Sequence, residues 1–230
     1  GALPLLRADP PARSERAALV LRVARGLGRL AVPGVAPILD VGVTASGLSY
    51  IVMERLEGET LTALLAREGP LPWARALGLI RQVMDVTRAV HASGHIHRTI
   101  QAAKCVVLAE PAPPDTLRLL DVGLTPFTAR LRRGGGRVAV DSDEVFGAAD
   151  AMAPELVSGH LPDRRSDLYA LGVLLYELVT GAPPFAGDTL LDVLKKHLYD
   201  EPPPPRAVVE ESDLPESIEA VILAALAKDP

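Results

Sequence analysis

The stretch His97-Arg98-Thr99-Ile100-Gln101-Ala102-Ala103-Lys104 decides how this chain is read. It follows a helical run that ends at Gly94, a residue suited to stopping a helix. A short strand, Cys105-Val106-Val107-Leu108, comes next, then a polar turn, then a second strand ending in Asp121-Val122-Gly123. Helix, loop, hairpin and Asp-x-Gly, in that order, form the frame to which the other segments attach.

The totals suit a packed domain. The chain has 230 residues, 48% of them hydrophobic and 23% charged, enough for one large domain or two small ones and too apolar for global disorder. A formal charge of -5 argues against a nucleic-acid or anionic-membrane surface, which needs a basic field. One cysteine, Cys105, excludes an internal disulfide framework and fits a reducing compartment. The longest apolar runs, 168–178 and 221–227, fall short of the roughly 20 residues that cross a bilayer. The ends, Gly1 and Pro230, read as cut.

Outward from the central stretch, hydrophobic spacing predicts the elements. Residues 1–7 form an apolar run with Pro4 at an edge or bulge. Residues 13–30 are a helix candidate, with Ala18, Leu21, Ala24 and Leu27 on one face. Residues 36–44 and 48–53 read as a hairpin around Ala45-Ser46-Gly47. Leu61, Leu64 and Leu65 belong to a short helix. Pro72 opens a longer one with Leu77, Ile80, Met84, Thr87 and His91 in a stripe. Residues 121–155 show little periodicity and contain Gly134-Gly135-Gly136, as expected of a functional or disordered loop. Residues 167–180 are apolar nearly all round, so a central buried helix is expected, stopped by Gly181-Ala182-Pro183-Pro184. A helix over 190–198, an extended spacer over 201–205 and a last helix to Ala227, introduced by Asp213-Leu214-Pro215-Glu216, complete the chain.

The central stretch resembles the protein-kinase signature H-R-D-x-x-x-x-N followed by D-F-G. Four further motifs stand in register with it. Tyr50-Ile51-Val52-Met53-Glu54 resembles the fifth strand and hinge, with Met53 as gatekeeper and Glu54 to Leu56 along the adenine edge. Met152-Ala153-Pro154-Glu155 resembles A-P-E. Ser166-Asp167-Leu168-Tyr169-Ala170-Leu171-Gly172-Val173 and Gly181-Ala182-Pro183-Pro184-Phe185 are similar to the family's central helix and its exit. On these motifs the chain is identified as a member of the bacterial, eukaryotic-like Ser/Thr protein kinase family. The resemblance implies an α+β bilobal fold, with a truncated β-rich small lobe over 1–56 and a helical large lobe over 57–230.

The same resemblance implies lost chemistry. Thr99 stands at the position of the catalytic Asp, and a hydroxyl cannot take up the substrate proton at neutral pH. Losing a general base costs about 10²–10⁴ in rate. His97 and Arg98 keep family identity, with packing and pairing to a phosphorylated side chain as their implied jobs. Lys104 replaces the metal-binding Asn, and an ammonium has only donors. Its head either swings to solvent or pairs with Asp121 in place of the metal. Asp121 either holds a metal or caps local backbone amides, and Gly123 follows it, with Val122 at the phenylalanine position.

In the small lobe the alignment puts Pro4 at the phosphate-binding lysine and Val23 at its glutamate partner, so that ion pair is missing from both sides. In the activation segment Ala148 replaces a threonine, Glu155 would pair with an arginine beyond Pro230, and Asp167 caps the central helix and holds the catalytic loop's backbone. The expected function is a pseudokinase, a protein-binding or allosteric signalling module. The alternative is a Ser/Thr kinase with residual or unconventional phosphotransfer. No cofactor is expected, ATP and magnesium belonging to the alternative. The partner is a protein, not nucleic acid or membrane, and the place of work is the cytoplasm, any tether belonging to a longer parent.

Overall fold

A computed structural model describes residues 24, 26, 32–45, 49–109, 112–122, 131–134, 137–140, 149–209 and 213–229. The positions Pro4, Val23, Gly123 and Ala148, the strand expected over 1–7 and all but Ala24 and Gly26 of the helix expected over 13–30 lie outside them.

The hairpin near the start forms as its alternation predicts. Strands β1 (Ile38–Val43) and β2 (Ser49–Met53) pair antiparallel, with Ile38 opposite Met53. Glu54 N donates to Pro37 O at 2.9 Å, closing the strand exit that leads to the helical part. A second, three-stranded antiparallel sheet joins β3 (Gly58–Thr60), β4 (Cys105–Leu108) and β5 (Leu117–Leu119) in that order. β3 has no local signature of its own, because three residues gain strand geometry only from the edge of β4. β5 ends at Leu119, two residues before the Asp121 expected to close it, because Asp121 adopts a left-handed backbone with φ 56°.

Helix α1 (Leu61–Glu68) starts at Thr60, whose side chain accepts from Ala63 N. Helix α2 (Trp73–Ala92) buries Ala76, Leu79, Ile80, Val83, Val86, Thr87 and Val90. The stripe read from the sequence is rotated from this face: Ile80 and Thr87 belong to it, whereas Met84 is 48% exposed. A polar clamp fixes α2 to the β4–β5 turn. Arg75 binds both carboxylate oxygens of Asp115, while Gln82 donates to Asp115 O and accepts from Leu117 N.

Between 121 and 155 the expected structureless loop contains an antiparallel pair, β6 (Leu131–Gly134) with β7 (Arg137–Val140). Helix α3 (Pro154–Val157) follows. Helix α4 (Arg164–Thr180) is the buried axis, with 13 of its 17 residues in the interior. It begins three residues before the expected start, because Asp163 and Ser166 form a reciprocal capping box. Asp163, not Asp167, is therefore its cap. Gly181 ends it at φ 82°, a conformation that favours glycine.

Helix α5 (Leu190–Tyr199) is capped by Thr189 and Asp192. A single helical turn, α6 (Pro205–Val208), closes the proline spacer. Helix α7 (Glu216–Ala225) has Pro215 at its cap position without a side-chain bond. Asp213 therefore does not cap it, contrary to the sequence pattern. Helix α7 packs against α4 at Gly172, where an added Cβ would stand 2.7 Å from the Ala225 Cβ. Gly172→Ala is accordingly expected to lower stability by about 1–3 kcal/mol, measured as a fall in thermal unfolding midpoint. Among the described residues no helix is long and apolar enough to cross a membrane.

Candidate functional site

The loop after α2 is held from below by one carboxylate. Asp167, fully buried in the first turns of α4, accepts from His97 N at 2.9 Å and Arg98 N at 2.8 Å. Its Oδ2 also lies 2.7 Å from His91 Nε2. Arg98 sits at φ 75°, a strained value for a residue with a Cβ. Two peptide amides captured by one carboxylate hold the loop in that shape. The sequence put His91 on the apolar stripe of α2; its hydrogen bond to Asp167 appears only when α2 and α4 lie side by side.

His97 is buried completely. Its Nδ1 accepts from Thr99 N at 3.4 Å, which leaves the proton on Nε2, an atom with no hydrogen-bond partner among the described residues. Burial lowers its pKa, opposed by the charges of Asp167 and Asp121. Thr99 is 7% exposed, and its Oγ1 likewise has no partner among those residues. A neutral hydroxyl without an acceptor beside it has nowhere to pass a proton.

Lys104 closes a 3₁₀ turn, Ala102–Lys104, before β4. Its Nζ donates to Asp121 Oδ2 at 2.5 Å, with about a fifth of each side chain exposed. Of the two positions open to it in the sequence, Lys104 takes the one facing Asp121. Leu120 N also donates to Lys104 O at 2.8 Å, so the loop and the end of β5 are joined through backbone and side chain. Val122 follows into the main hydrophobic core at 4% exposure.

This donor set does not fit magnesium. Magnesium at such sites is held by one or two protein oxygens together with substrate phosphates and waters, and here the one carboxylate, Asp121, already faces the Lys104 ammonium. Two unit charges about 4 Å apart repel by roughly 4 kcal/mol at intermediate dielectric, and a divalent ion doubles that.

At the other side of the site Met53 packs half-buried against the core, Leu56 is half-buried and Glu54 is exposed. Cys105 is buried and its thiol is pushed up by burial, which makes it an inert core residue. Glu155 Oε1 accepts from Ser166 Oγ at 2.5 Å. The reason is local, since the capping box turns Ser166 toward the Glu155 turn. Neither Ser166 nor His91 carries a sequence signal for these contacts beyond being a polar residue in an apolar helix.

The family model for the protein kinase domain matches residues 17–230. The chain is 35% identical over 209 residues to serine/threonine-protein kinase pkn3 of Myxococcus xanthus, covering 91% of this chain and 38% of that protein. It is 34% identical over 232 residues to serine/threonine-protein kinase PknB of Mycobacterium tuberculosis, covering 100% and 36%. It thus spans a little over a third of the length of these relatives. The fold is similar to the crystal structure of a single-site mutant of the Mycobacterium tuberculosis PknI kinase domain, with a TM-score of 0.67 at 25% identity, covering 94% of this chain and 72% of that one.

Proposed function

The chain belongs to the protein kinase domain family, among its bacterial Ser/Thr members, and from that premise we propose that it acts as a pseudokinase, a protein-binding or allosteric signalling module in the cytoplasm. The observation that carries this reading is the Lys104–Asp121 contact at 2.5 Å. It occupies the family's metal-binding acid with a cation that brings no ligand atom. Thr99 adds a hydroxyl where a base is required. With both substitutions the cleft has no means to gather a metal, a phosphate and an attacking alcohol, while the packed scaffold is left to bind a protein partner. The acidic balance of the chain disfavours nucleic acid as that partner.

The names of the relatives favour a second reading, a Ser/Thr kinase with residual or unconventional ATP-dependent phosphotransfer, in which Asp121 releases Lys104 to take a metal. Thermal-shift titration with ATP, with and without magnesium or manganese, separates the two. A ligand at about a hundred times its Kd adds about 2.7 kcal/mol of stability. The expected result is no metal-dependent shift. A metal-dependent shift together with radiolabelled phosphate on any protein, both lost in Asp121→Ala, would establish the enzyme instead.

A further inference from the structure

Asp121 has a left-handed backbone, φ 56°. For a residue with a Cβ this costs of order 1–3 kcal/mol unless surrounding contacts hold it. Three contacts do so. Lys104 Nζ bonds its carboxylate. The preceding amide, Leu120 N, is tied to Lys104 O. The following side chain, Val122, is anchored in the core. Lys104 in turn stands on a rigid base, because Lys104 N donates to Gln101 O at 2.9 Å and the loop just upstream is held by Asp167.

We propose that Lys104 is a built-in cation that latches the Asp121–Val122 turn, so that the turn stays set, with Val122 in the core, without nucleotide or metal. The proposal rests on the pseudokinase reading and adds its regulation. In an active kinase a metal ion holds the same acid, and the packing of the next residue sets the active or inactive state, so the turn responds to ligand occupancy. Here the positive charge belongs to the catalytic loop itself. The turn therefore ignores magnesium and ATP, and responds to whatever competes for the ion pair, such as salt or a charged side chain of a protein partner. Lys104 is a positioning residue in this account. The pair is partly exposed, so its worth lies near the upper end of that of surface ion pairs, about fivefold in local opening.

Hydrogen exchange followed by mass spectrometry tests this on the whole chain. In the wild-type protein the peptide spanning 117–122 is expected to exchange at the same rate with and without magnesium and ATP. In Lys104→Met the amides of 120–122 are expected to exchange about fivefold faster, with a peptide from 167–180 unchanged, and Lys104→Arg is expected to restore protection. Equal exchange in wild type and Lys104→Met would overturn the latch. If Lys104→Met does not fold, raising sodium chloride on the wild-type protein supplies the same readout: selective acceleration at 120–122 supports the latch, and insensitivity overturns it. Slower exchange of the wild-type turn on adding magnesium and ATP would instead overturn the pseudokinase reading, and it leaves the comparison of the ligand-free variants as a separate result.

Discussion

Replacing Asp167 by alanine is expected to remove about 3–5 kcal/mol of folding stability, the range for breaking a buried charged partnership. The carboxylate is fully buried and accepts two peptide amides, from His97 and Arg98, with His91 as a third partner. Without it both amides and the imidazole remain in the interior, and each unmet donor costs about 1–3 kcal/mol. The strained Arg98 backbone also loses the contact that fixes it. Asparagine can accept at one oxygen only, so Asp167→Asn should keep part of the stability. Urea unfolding of the two variants measures both. A loss below about 1 kcal/mol in Asp167→Ala would mean that the loop at His97 and Arg98 is held by something other than this side chain.

The second large effect is a pH dependence that two groups, the half-buried Glu177 and the buried His197, conceal from each other. Burial in α4, reinforced by the nearby charge of Asp150, raises the Glu177 carboxyl from its ordinary 4.5 to about 7. Between those values the folded state holds a proton that the unfolded chain has released. The resulting stability is complete below about pH 4.5 and is lost as pH rises through 7. His197 has the opposite sign. Burial, together with the charge of Lys228, lowers it from 6.5 to about 4 against a weaker pull from the backbone at Asp150. Its ring lies against Phe185 and takes Tyr169 Oη at 2.8 Å on Nδ1. It is neutral in the fold, so its contribution is complete above about pH 6.5 and is lost as pH falls through 4.

Each group is worth about 3 kcal/mol across its window, and between about pH 4.5 and 6.5 the two slopes offset each other. Glu177→Gln removes one of them. The stability of that variant relative to wild type should rise by about 3 kcal/mol between about pH 4.5 and 7, then level off. His197→Gln should change the relative stability in the other direction over about pH 4 to 6.5. Urea unfolding at four pH values spanning this range measures both differences. A Glu177→Gln difference that does not vary with pH would show that the carboxyl ionises as it does in water.

Much of the fold was legible in the sequence, because its signals are local. The β1–β2 hairpin follows from alternation, α4 from an unbroken apolar surface and its end from Gly181. The family followed from five motifs in register. Two of the differences share a cause, a deciding partner that is distant along the chain. The α2 stripe is set by α4, so Met84 faces solvent. β3 exists because β4 lends it an edge. Asp213 precedes α7 yet makes no cap, the chain entering through Pro215 instead.

By itself the sequence determined which chemical groups the central stretch carries: a hydroxyl at Thr99, an ammonium at Lys104 and a carboxyl at Asp121. Only the tertiary structure decided what those groups do with each other. The orientation of Lys104 toward Asp121, 17 positions away, depends on a backbone tie between a 3₁₀ turn and Leu120, just past the end of β5. The support of the loop by Asp167 spans 70 residues to His97, and that of Asp167 by His91 spans 76. Residue type sets the charge and the hydrogen-bonding capacity of a side chain. Distance and burial decide whether that capacity is met and how much it is worth, and both are properties of the packed chain.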